Sequence, residues 1–240
     1  MRANKTIYDQ FNPSPWGAHA KIVQLVGNNK KVLDVGCATG LVARKLKQNG
    51  CKVVGIEIDA YQADLAREAC DKTIIGDVET MSLELTPLSF DVILMADVLE
   101  HLKEPLETLR KVSQFLSQEG FALIVLPNIA HLYFRFKLLT GQFDYQEKGT
   151  LDKTHLRFYT LKTARRLVTD AGFQVELVDV SVPNVPTSLA FNKNFAIFYK
   201  AAYGIARLWK TMFAFQFIIM AKKQPSTTLV GDMTGHMQRH

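Results

Sequence analysis

Hydrophobic and polar positions follow a repeating pattern over the first half of the chain. Short apolar runs predict five strands, at residues 31–35, 52–58, 72–76, 90–96 and 120–127. The amphipathic stretches between them predict helices, at residues 40–49, 61–70 and about 104–116. Strands that alternate with helices of this length form right-handed βαβ units, so the pattern predicts a parallel sheet covered on both faces.

The pattern changes after Pro127. Residues 128–159 are aromatic and basic and are typical of an insertion. Further elements are predicted as a helix over about 160–171, a strand over 173–180, an amphipathic stretch over 191–210 and a last strand over 213–222. Residues 224–240 are polar, and we expect them to form a disordered tail.

A glycine turn follows the first strand, in the segment KVLDVGCATGLVARKL. A dinucleotide-binding turn requires G-x-G-x-x-G, but Ala38 and Leu41 occupy the second and third glycine positions. A P-loop is also excluded, because no lysine follows Gly40. The carboxylate of Asp34 at the end of the strand is a poor neighbour for phosphate. The turn therefore favours a ligand without pyrophosphate, and one that carries positive charge.

Two acidic residues extend this prediction. Glu57 ends the second strand, where a carboxylate can accept hydrogen bonds from both ribose hydroxyls. Asp77 follows the third strand and is placed to meet an adenine amino group. A nucleoside with a cationic amino-acid end is S-adenosylmethionine (SAM).

Four blocks in order carry a resemblance to a known family: VLDVGCATG, VVGIEID, GDVE and FDVILMADVLEHL. Over residues 30–180 the chain resembles the class I SAM-dependent methyltransferases. The segment GTLDKTHLRFYTLKTARRLVTDAGF further resembles a bacterial subgroup that acts on small molecules, often encoded with sugar or polyketide pathways.

The resemblance implies an α/β fold: a doubly wound, Rossmann-like, seven-stranded and mostly parallel sheet whose last strand is antiparallel, with helical lid insertions. It implies one domain over residues 1–223, with a SAM-binding core at 30–127 and lid or acceptor insertions at 128–159 and 181–212.

The resemblance also implies the cofactor contacts. Gly36, Cys37 and Gly40 would line the methionine end of SAM, and Glu57 would hold the ribose. Asp77 and Val78 would contact adenine, and Ala96 the methionine amine. The predicted cofactor-binding set is Asp34, Gly36, Cys37, Ala38, Gly40, Glu57, Ile58, Asp77, Val78, Ala96 and Asp97.

Methyl transfer to oxygen usually requires a base, and the histidines are the candidates. His155, at the end of the insertion, is the first choice; a structural hydrogen bond is its alternative role. His101 is the second choice, with a role in orienting its turn as the alternative. His19 is expected at the surface, and His131 opens the insertion. No metal-ligand spacing is evident, so no metal is expected.

These observations predict a SAM-dependent methyltransferase that acts on a small-molecule acceptor, at an oxygen, and releases S-adenosylhomocysteine. The alternative is a SAM-binding regulator or scaffold without turnover. The missing glycines disfavour a nicotinamide dehydrogenase. Methylation of nucleic-acid bases is disfavoured because ADVLEH stands where an Asn- or Asp-Pro-Pro-aromatic run is expected. The acceptor class stays open between free, sugar-linked, polyketide-linked and lipid-linked molecules, and the oligomeric state stays open too.

Charge adds one further hypothesis. The net charge of +6 lies entirely after residue 180, where seven Lys or Arg residues face one acidic residue. Over residues 191–210, Lys193, Lys200 and Arg207 fall on one helical face; the apolar face carries Phe191, Phe195, Phe198, Ala202, Ile205 and Trp209. This helix is interpreted as a lid over the acceptor, or as a contact with an anionic membrane. The absence of a secretory signal and of C-x-x-C spacing predicts a cytoplasmic protein.

Overall fold

The computed structural model describes residues 11–183 and 193–224, which build one seven-stranded sheet flanked by helices. The strands are β1 Lys31–Val35, β2 Lys52–Glu57, β3 Lys72–Ile75, β4 Phe90–Ala96, β5 Leu116–Pro127, β6 Phe173–Ser181 and β7 Gln216–Lys223. The helices are α1 Ala18–Val26, α2 Leu41–Gln48, α3 Ala60–Ala66, α4 Pro105–Ser113, α5 Leu132–Leu139, α6 Leu161–Asp170, α7 Lys193–Leu208 and α8 Lys210–Phe213.

The strand order is β3-β2-β1-β4-β5-β7-β6. Strands β1 to β5 pair in parallel, whereas β7 runs antiparallel to both of its neighbours, β5 and β6. The order reverses between β1 and β4, and ligands of such sheets bind in the crevice beyond the carboxyl ends of the strands at this point. The predicted fold class is confirmed.

The sheet divides two hydrophobic clusters, one on each face. Successive strand residues point to opposite faces, so Leu33 and Ile93 belong to one cluster while Val32 and Leu94 belong to the other. All four side chains are fully buried. Continuous apolar runs such as FDVILMA are therefore explained by burial on both faces of the sheet.

Several element boundaries differ from the sequence prediction. Strand β5 begins at Leu116 rather than residue 120, because Leu116 pairs with Phe90 across a register shift. Helix α1 was not predicted at all, although Ile22 and Val26 recur at helical spacing and are buried. The short α8 ends at Phe213, the first residue assigned to the last strand, and β7 begins at Gln216.

The orientation of α7 bears on the two interpretations given for this helix. Phe198 and Ile205, and Trp209 just beyond its end, would pack inward in a lid, but they are exposed. The helix packs instead through Ala206, which is fully buried, and through Tyr203. The small side chain of Ala206 allows close approach to the body of the domain. Of the other predicted features, Phe191 and the tail beyond residue 224 lie outside the described residues.

Candidate active site

The glycine turn after β1 approaches the segment that follows β4 very closely. Gly36 has φ +73°, and its amide donates to the carbonyl of Ile56 at 2.8 Å. A Cβ on Gly36 would lie 2.4 Å from Cγ2 of Val98, so only glycine fits here. Ala38 also has positive φ, at +47°. These backbone conformations place the turn beside the crevice between β1 and β4, where the strand order reverses.

The Glu57 carboxylate fixes the turn from the neighbouring strand. Its Oε2 accepts from the Ala38 amide at 2.9 Å, and its Oε1 accepts from the Asp59 amide at 2.9 Å. A carboxylate has about four acceptor positions, so these two bonds leave two more. Glu57 is therefore held rigidly while it retains capacity for two hydroxyl donors.

A cavity of about 480 Å³ opens at this point. Its lining includes seven of the eleven predicted cofactor residues, namely Gly36, Ala38, Glu57, Ile58, Asp77, Val78 and Asp97. They come from the ends of β1, β2, β3 and β4, which the parallel sheet brings to one edge. The predicted cofactor residues thus converge on one cavity.

The other four predicted residues are not part of the cavity lining. The thiol of Cys37 is directed toward Cys70 and Gly55, in the buried cluster beneath the turn. Gly40 has φ +74° and caps α2, where a Cβ would meet Ala69 at 2.8 Å. These two residues shape the turn from below, and Asp34 and Ala96 stand outside the lining as well.

Burial perturbs Asp34 strongly. Its carboxyl is 4% exposed, and burial, together with the charge of Glu57, raises its pKa to about 7. Because burial disfavours the ionised form of Asp34, a cationic group bound nearby would stabilise its carboxylate.

Sequence reasoning missed part of the cavity wall. The missed lining residues are Ile56, Gln62, Gly76, Glu79, Val98, His101, Leu102 and Lys103. His101 had been predicted only as a candidate base. Most of the others lie one or two positions from predicted residues. The rule that residues at the carboxyl ends of parallel strands line the ligand crevice could therefore have found them. Lys103 has no such signal, because its position depends on the path of the loop before α4.

A second cavity, of about 290 Å³, adjoins the first and shares Asp97 and His101 with it. Its other lining residues come from α1, the loop after β4, the end of β5, the 128–159 insertion and the start of β7: Ala18, His19, Glu100, Pro127, Lys148, Gly149, Thr150, Asp152, His155, Phe215 and Gln216. We refer to the two as the cofactor cavity and the acceptor cavity.

The two candidate bases meet in the acceptor cavity. The rings of His101 and His155 lie 4.6 Å apart in an edge-to-face arrangement. Nδ1 of His155 lies 3.0 Å from the carbonyl oxygen of Thr150, and Nδ1 of His101 lies 3.3 Å from that of Thr154. A carbonyl oxygen only accepts, so each Nδ1 carries the proton and each Nε2 has a free lone pair. Burial, reinforced by His101, lowers the pKa of His155 and keeps its ring neutral.

Glu100 lies beside this histidine pair and is completely buried. Its Oε1 is 3.9 Å from Nε2 of His155, and neither carboxylate oxygen has a hydrogen-bond partner among the described residues. Burial first, and then the nearby charge of Asp97, raises the pKa of Glu100 well above its usual range. Sequence reasoning did not select this residue.

Asp97 stands between the two cavities. Its φ is +54°, and both of its carboxylate oxygens accept from Nε2 of Gln216, at 2.7 and 2.9 Å. The side chain reaches solvent through the cleft, but protein surrounds it on its other sides. This burial raises the pKa of the Asp97 carboxyl to about 6, and the hydrogen bond from Gln216 lowers the pKa by less than burial raises it.

His19 corrects another expectation, because it is half-buried rather than at the surface. Its Nδ1 accepts from the Asn12 amide at 3.1 Å, and its ring stacks on Phe11. Burial lowers the pKa of His19. The unpredicted α1 carries His19 to the acceptor cavity. His131, by contrast, caps α5 by accepting from the Tyr133 amide.

Comparison with known proteins agrees with this architecture. A family model described as a methyltransferase domain matches residues 18–178. The chain belongs to this family, and its fold and site define a class I SAM-dependent methyltransferase.

Relatives of assigned function share about a quarter of their residues with this chain. Over 177 residues the chain is 25% identical to a ubiquinone biosynthesis O-methyltransferase of Nitrosospira multiformis, covering 70% of this chain and 72% of that protein. A protein of the same name from Aeromonas salmonicida is 24% identical, with coverage of 72% and 76%.

Solved structures share the fold. A possible histamine N-methyltransferase from Thermotoga maritima aligns with a TM-score of 0.61 at 18% identity, covering 88% of this chain and 91% of that one. A SAM-dependent methyltransferase from Archaeoglobus fulgidus aligns with a TM-score of 0.59 at 17% identity, covering 85% and 90%.

The residues of the cofactor cavity fit SAM. Glu57 keeps acceptor capacity for ribose hydroxyls, and the Gly36 turn permits the close approach of a ligand to the backbone. The carboxyls of Asp34 and Asp97 provide negative charge near the turn, which suits a cationic amino-acid end.

Proposed function

We propose that the protein transfers the methyl group of SAM to a hydroxyl oxygen of a small molecule held in the acceptor cavity. The observation that carries this proposal is the shared wall of the two cavities. Asp97 and His101 line both, so ligands in the two cavities would lie next to each other. An in-line displacement requires such contact between the reacting groups.

The cofactor cavity suggests a position for each part of SAM. Glu57 would accept from the ribose hydroxyls, and Ile58, Asp77 and Val78 would surround the adenine. The methionine end would lie by Gly36 and Asp97. When bound, SAM supplies a methyl group on a sulfonium, which leaves as a neutral thioether. The protein has only to orient the acceptor and to take up or release its proton.

We assign proton uptake to the histidine pair, with His155 as the first candidate base. Its Nε2 lone pair faces the side of the cavity where Glu100 lies, and the lowered pKa keeps this nitrogen unprotonated near neutral pH. His101 lies between His155 and the cofactor cavity wall and is the second candidate. The names of the relatives, which specify O-methyl transfer, support oxygen over nitrogen as the acceptor atom.

The volume of the acceptor cavity limits what reacts there. About 290 Å³ suits a single ring or head group. A sugar, polyketide or lipid portion of a larger acceptor would have to lie outside it. Pro127 and Phe215 provide apolar wall, which favours an unsaturated or aromatic ring next to the histidine pair.

The test is S-adenosylhomocysteine formation by the full chain with SAM and a panel of hydroxylated acceptors. The panel contains phenols, catechols, sugars and polyketides, each with its pre-methylated counterpart as a matched negative. Turnover with a hydroxylated compound but not with its methyl ether supports the proposal. SAM binding in calorimetry without turnover on any acceptor would favour the regulator or scaffold instead.

We also propose that α7 contacts an anionic membrane surface. No helix in the described part of the chain is long and apolar enough to span a bilayer. Helix α7 nevertheless exposes Phe198 and Ile205, together with the basic Lys200 and Arg207, and Trp209 is exposed just beyond its end. Exposed aromatic residues beside basic ones are typical of interfacial helices. The described lining of the acceptor cavity includes no α7 residue, so the lid interpretation finds less support.

A further inference from the structure

The buried carboxylate of Glu100 is an unusual feature of the acceptor cavity. The residue is fully buried, yet both of its side-chain oxygens are without a hydrogen-bond partner among the described residues. Burying an ionised carboxylate without a partner is unfavourable in free energy, unless a bound proton or a nearby cation neutralises its charge. Asp97 and Asp152 lie close enough to add further negative charge at this point. The described surroundings of Glu100 contain no Lys or Arg partner for it.

Two imidazole side chains complete the cluster. One potential ligand atom from each of Glu100, His101 and His155 lies within 4.8 Å of the other two. Both rings turn Nδ1 toward a backbone carbonyl, of Thr154 and Thr150 respectively, which leaves Nε2 as the free nitrogen. Metal-binding histidines are usually held in this way, with the second nitrogen donating to a carbonyl or carboxylate.

We propose that Glu100, His101 and His155 bind a divalent transition-metal ion in the wall of the acceptor cavity. Two imidazoles and one carboxylate form the protein ligand set of several catalytic zinc and iron sites. Ligand atoms about 2.0–2.2 Å from one ion lie roughly 3–3.5 Å apart. Small side-chain rotations from the present separations would therefore close the site. Three protein ligands leave at least one coordination position, and it would face the cavity.

The sequence gives little sign of this site. Glu100 and His101 are adjacent, but His155 lies in the insertion, far from any recognised ligand spacing. The contact is created by the fold, because the Leu156 and Arg157 amides both donate to the Glu100 carbonyl, at 2.8 and 3.0 Å. These bonds hold the insertion beside the loop after β4. This proposal departs from the expectation, drawn from the sequence, that no metal is involved.

The consequence for catalysis depends on the proposed function. An acceptor hydroxyl bound at the open position would lose its proton more readily, because a metal ion stabilises the alkoxide or phenoxide. The proton would pass to solvent, the new C–O bond would form and the C–S bond of SAM would break. His155 would then act as a metal ligand, and the metal would replace its role as base.

Metal binding can be tested without any acceptor. Tag-free full-length protein is treated with EDTA, dialysed and titrated with Zn²⁺ and Mn²⁺ by calorimetry, and with Co²⁺ by visible absorption. We expect one ion per chain with at least one of these metals. Glu100→Gln, His101→Asn and His155→Asn should each weaken binding at least about tenfold, since each removes one ligand.

Two matched variants control for the residue types. Glu119→Gln removes an exposed carboxylate outside both cavities, and His131→Asn keeps a capping oxygen for α5; both should bind metal as the wild type does. SAM binding by each variant reports whether it has folded. The proposal is wrong if no metal binds stoichiometrically, or if folded variants of all three ligands bind as tightly as the controls.

Measurements of turnover test whether the bound metal takes part in catalysis, which is a separate question from whether the metal site exists. If a productive acceptor is found, EDTA should abolish methylation and the bound metal should restore it. Metal binding that depends on the three residues supports the site even where no acceptor reacts, so failure of the proposed function would remain distinguishable. EDTA-resistant turnover by demonstrably metal-free protein would overturn the catalytic consequence and return His155 to the role of base.

Discussion

Glu57 shows how much a single side chain can do in this fold. It holds the backbone of Ala38, in the glycine turn, and of Asp59, at the start of α3, with one carboxylate oxygen each. The turn is therefore already organised for a ligand, and the ribose hydroxyls would add to existing contacts. Substitutions at Glu57 act on the shape of the turn as well as on direct binding.

The first prediction distinguishes these two effects. Glu57→Ala should lower SAM affinity at least about tenfold, because hydrogen bonds to a charged group contribute roughly 1.5–3 kcal/mol each. Glu57→Gln keeps one acceptor oxygen and should lose less affinity. Titration calorimetry measures both, with Glu119→Gln as the matched control. Unchanged affinity in Glu57→Ala would remove this residue from the cofactor site.

The second prediction concerns His155. His155→Asn should lower kcat by about 10²–10⁴, the usual contribution of a general acid–base group, while SAM affinity changes little. His131→Asn is the matched control and should keep wild-type kcat. Loss of thermal stability with normal kcat would show instead that His155 only ties the insertion to the sheet, through its bond to the Thr150 carbonyl.

At the scale of elements, the 128–159 insertion is fastened at its C-terminal end. Leu156 and Arg157 donate to the Glu100 carbonyl, and the Arg157 guanidinium donates to the Lys103 carbonyl at 2.7 Å. Its middle is different, because α5 exposes Phe136 and Leu139. The insertion thus presents a fixed end at the acceptor cavity and an apolar surface elsewhere.

The third prediction tests α7 as a membrane contact. The protein should co-sediment with anionic vesicles at low salt, much less at high salt, and not with neutral vesicles, because basic residues supply the attraction. Lys200→Glu combined with Arg207→Glu should abolish sedimentation. Lys162→Glu with Arg165→Glu makes the same charge change on exposed α6 residues and should leave it intact. Protein that stays in the supernatant with anionic vesicles at low salt would refute the membrane contact.

At the scale of the whole molecule, a buried ionic network joins three elements that are distant in sequence. Nζ of Lys21 on α1 contacts Oδ2 of Asp179 on β6 at 2.7 Å and also the hydroxyl of Tyr203 on α7. The Tyr203 hydroxyl in turn donates to Oδ1 of Asp179 at 2.7 Å. Because the ionic side chains are at most 14% exposed, the pair is weakly screened by solvent.

The fourth prediction concerns the stability of this network. Lys21→Met should destabilise the fold by about 3–5 kcal/mol, because it leaves the Asp179 carboxylate buried without its cation. Lys21→Met with Asp179→Leu should recover most of that loss. Arg67→Met breaks an exposed pair and should cost at most about 1 kcal/mol. Urea unfolding measures all three, and equal effects of Lys21→Met and Arg67→Met would contradict the prediction.

The same network makes a prediction about pH. Burial would raise the pKa of Asp179, but the hydrogen bonds from Lys21 and Tyr203 outweigh it and leave the pKa below its ordinary value of 3.8. A carboxyl whose pKa is lower in the folded state than in the unfolded state stabilises the fold. This stabilisation is complete at pH values above the unfolded-state pKa and is lost as the pH falls through the folded-state pKa. Acid unfolding below about pH 4 should therefore be less steep in Lys21→Met with Asp179→Leu than in the wild type. Superimposable acid transitions would show that Asp179 does not contribute.

The sequence by itself determined the fold class and about half of the cofactor cavity lining. Apolar runs mark strands, and the carboxyl ends of parallel strands meet at one edge, so Gly36, Glu57 and Asp77 could be placed together from local pattern alone. Cys37 faces the core, which agrees with the packing role expected of a small residue at this place in the turn.

Only the tertiary structure decided the composition of the acceptor cavity. His19 arrives on a helix that was not predicted, Glu100 was read as part of a strand-end motif, and His155 is brought over by hydrogen bonds between the insertion and the loop after β4. The sequence likewise left open which face of α7 packs inward. Its periodicity marks an apolar side, but the contacts of Tyr203 with Lys21 and Asp179 decide which side packs. Local pattern specifies what a segment can form, whereas long-range contacts between segments determine which side chains finally meet.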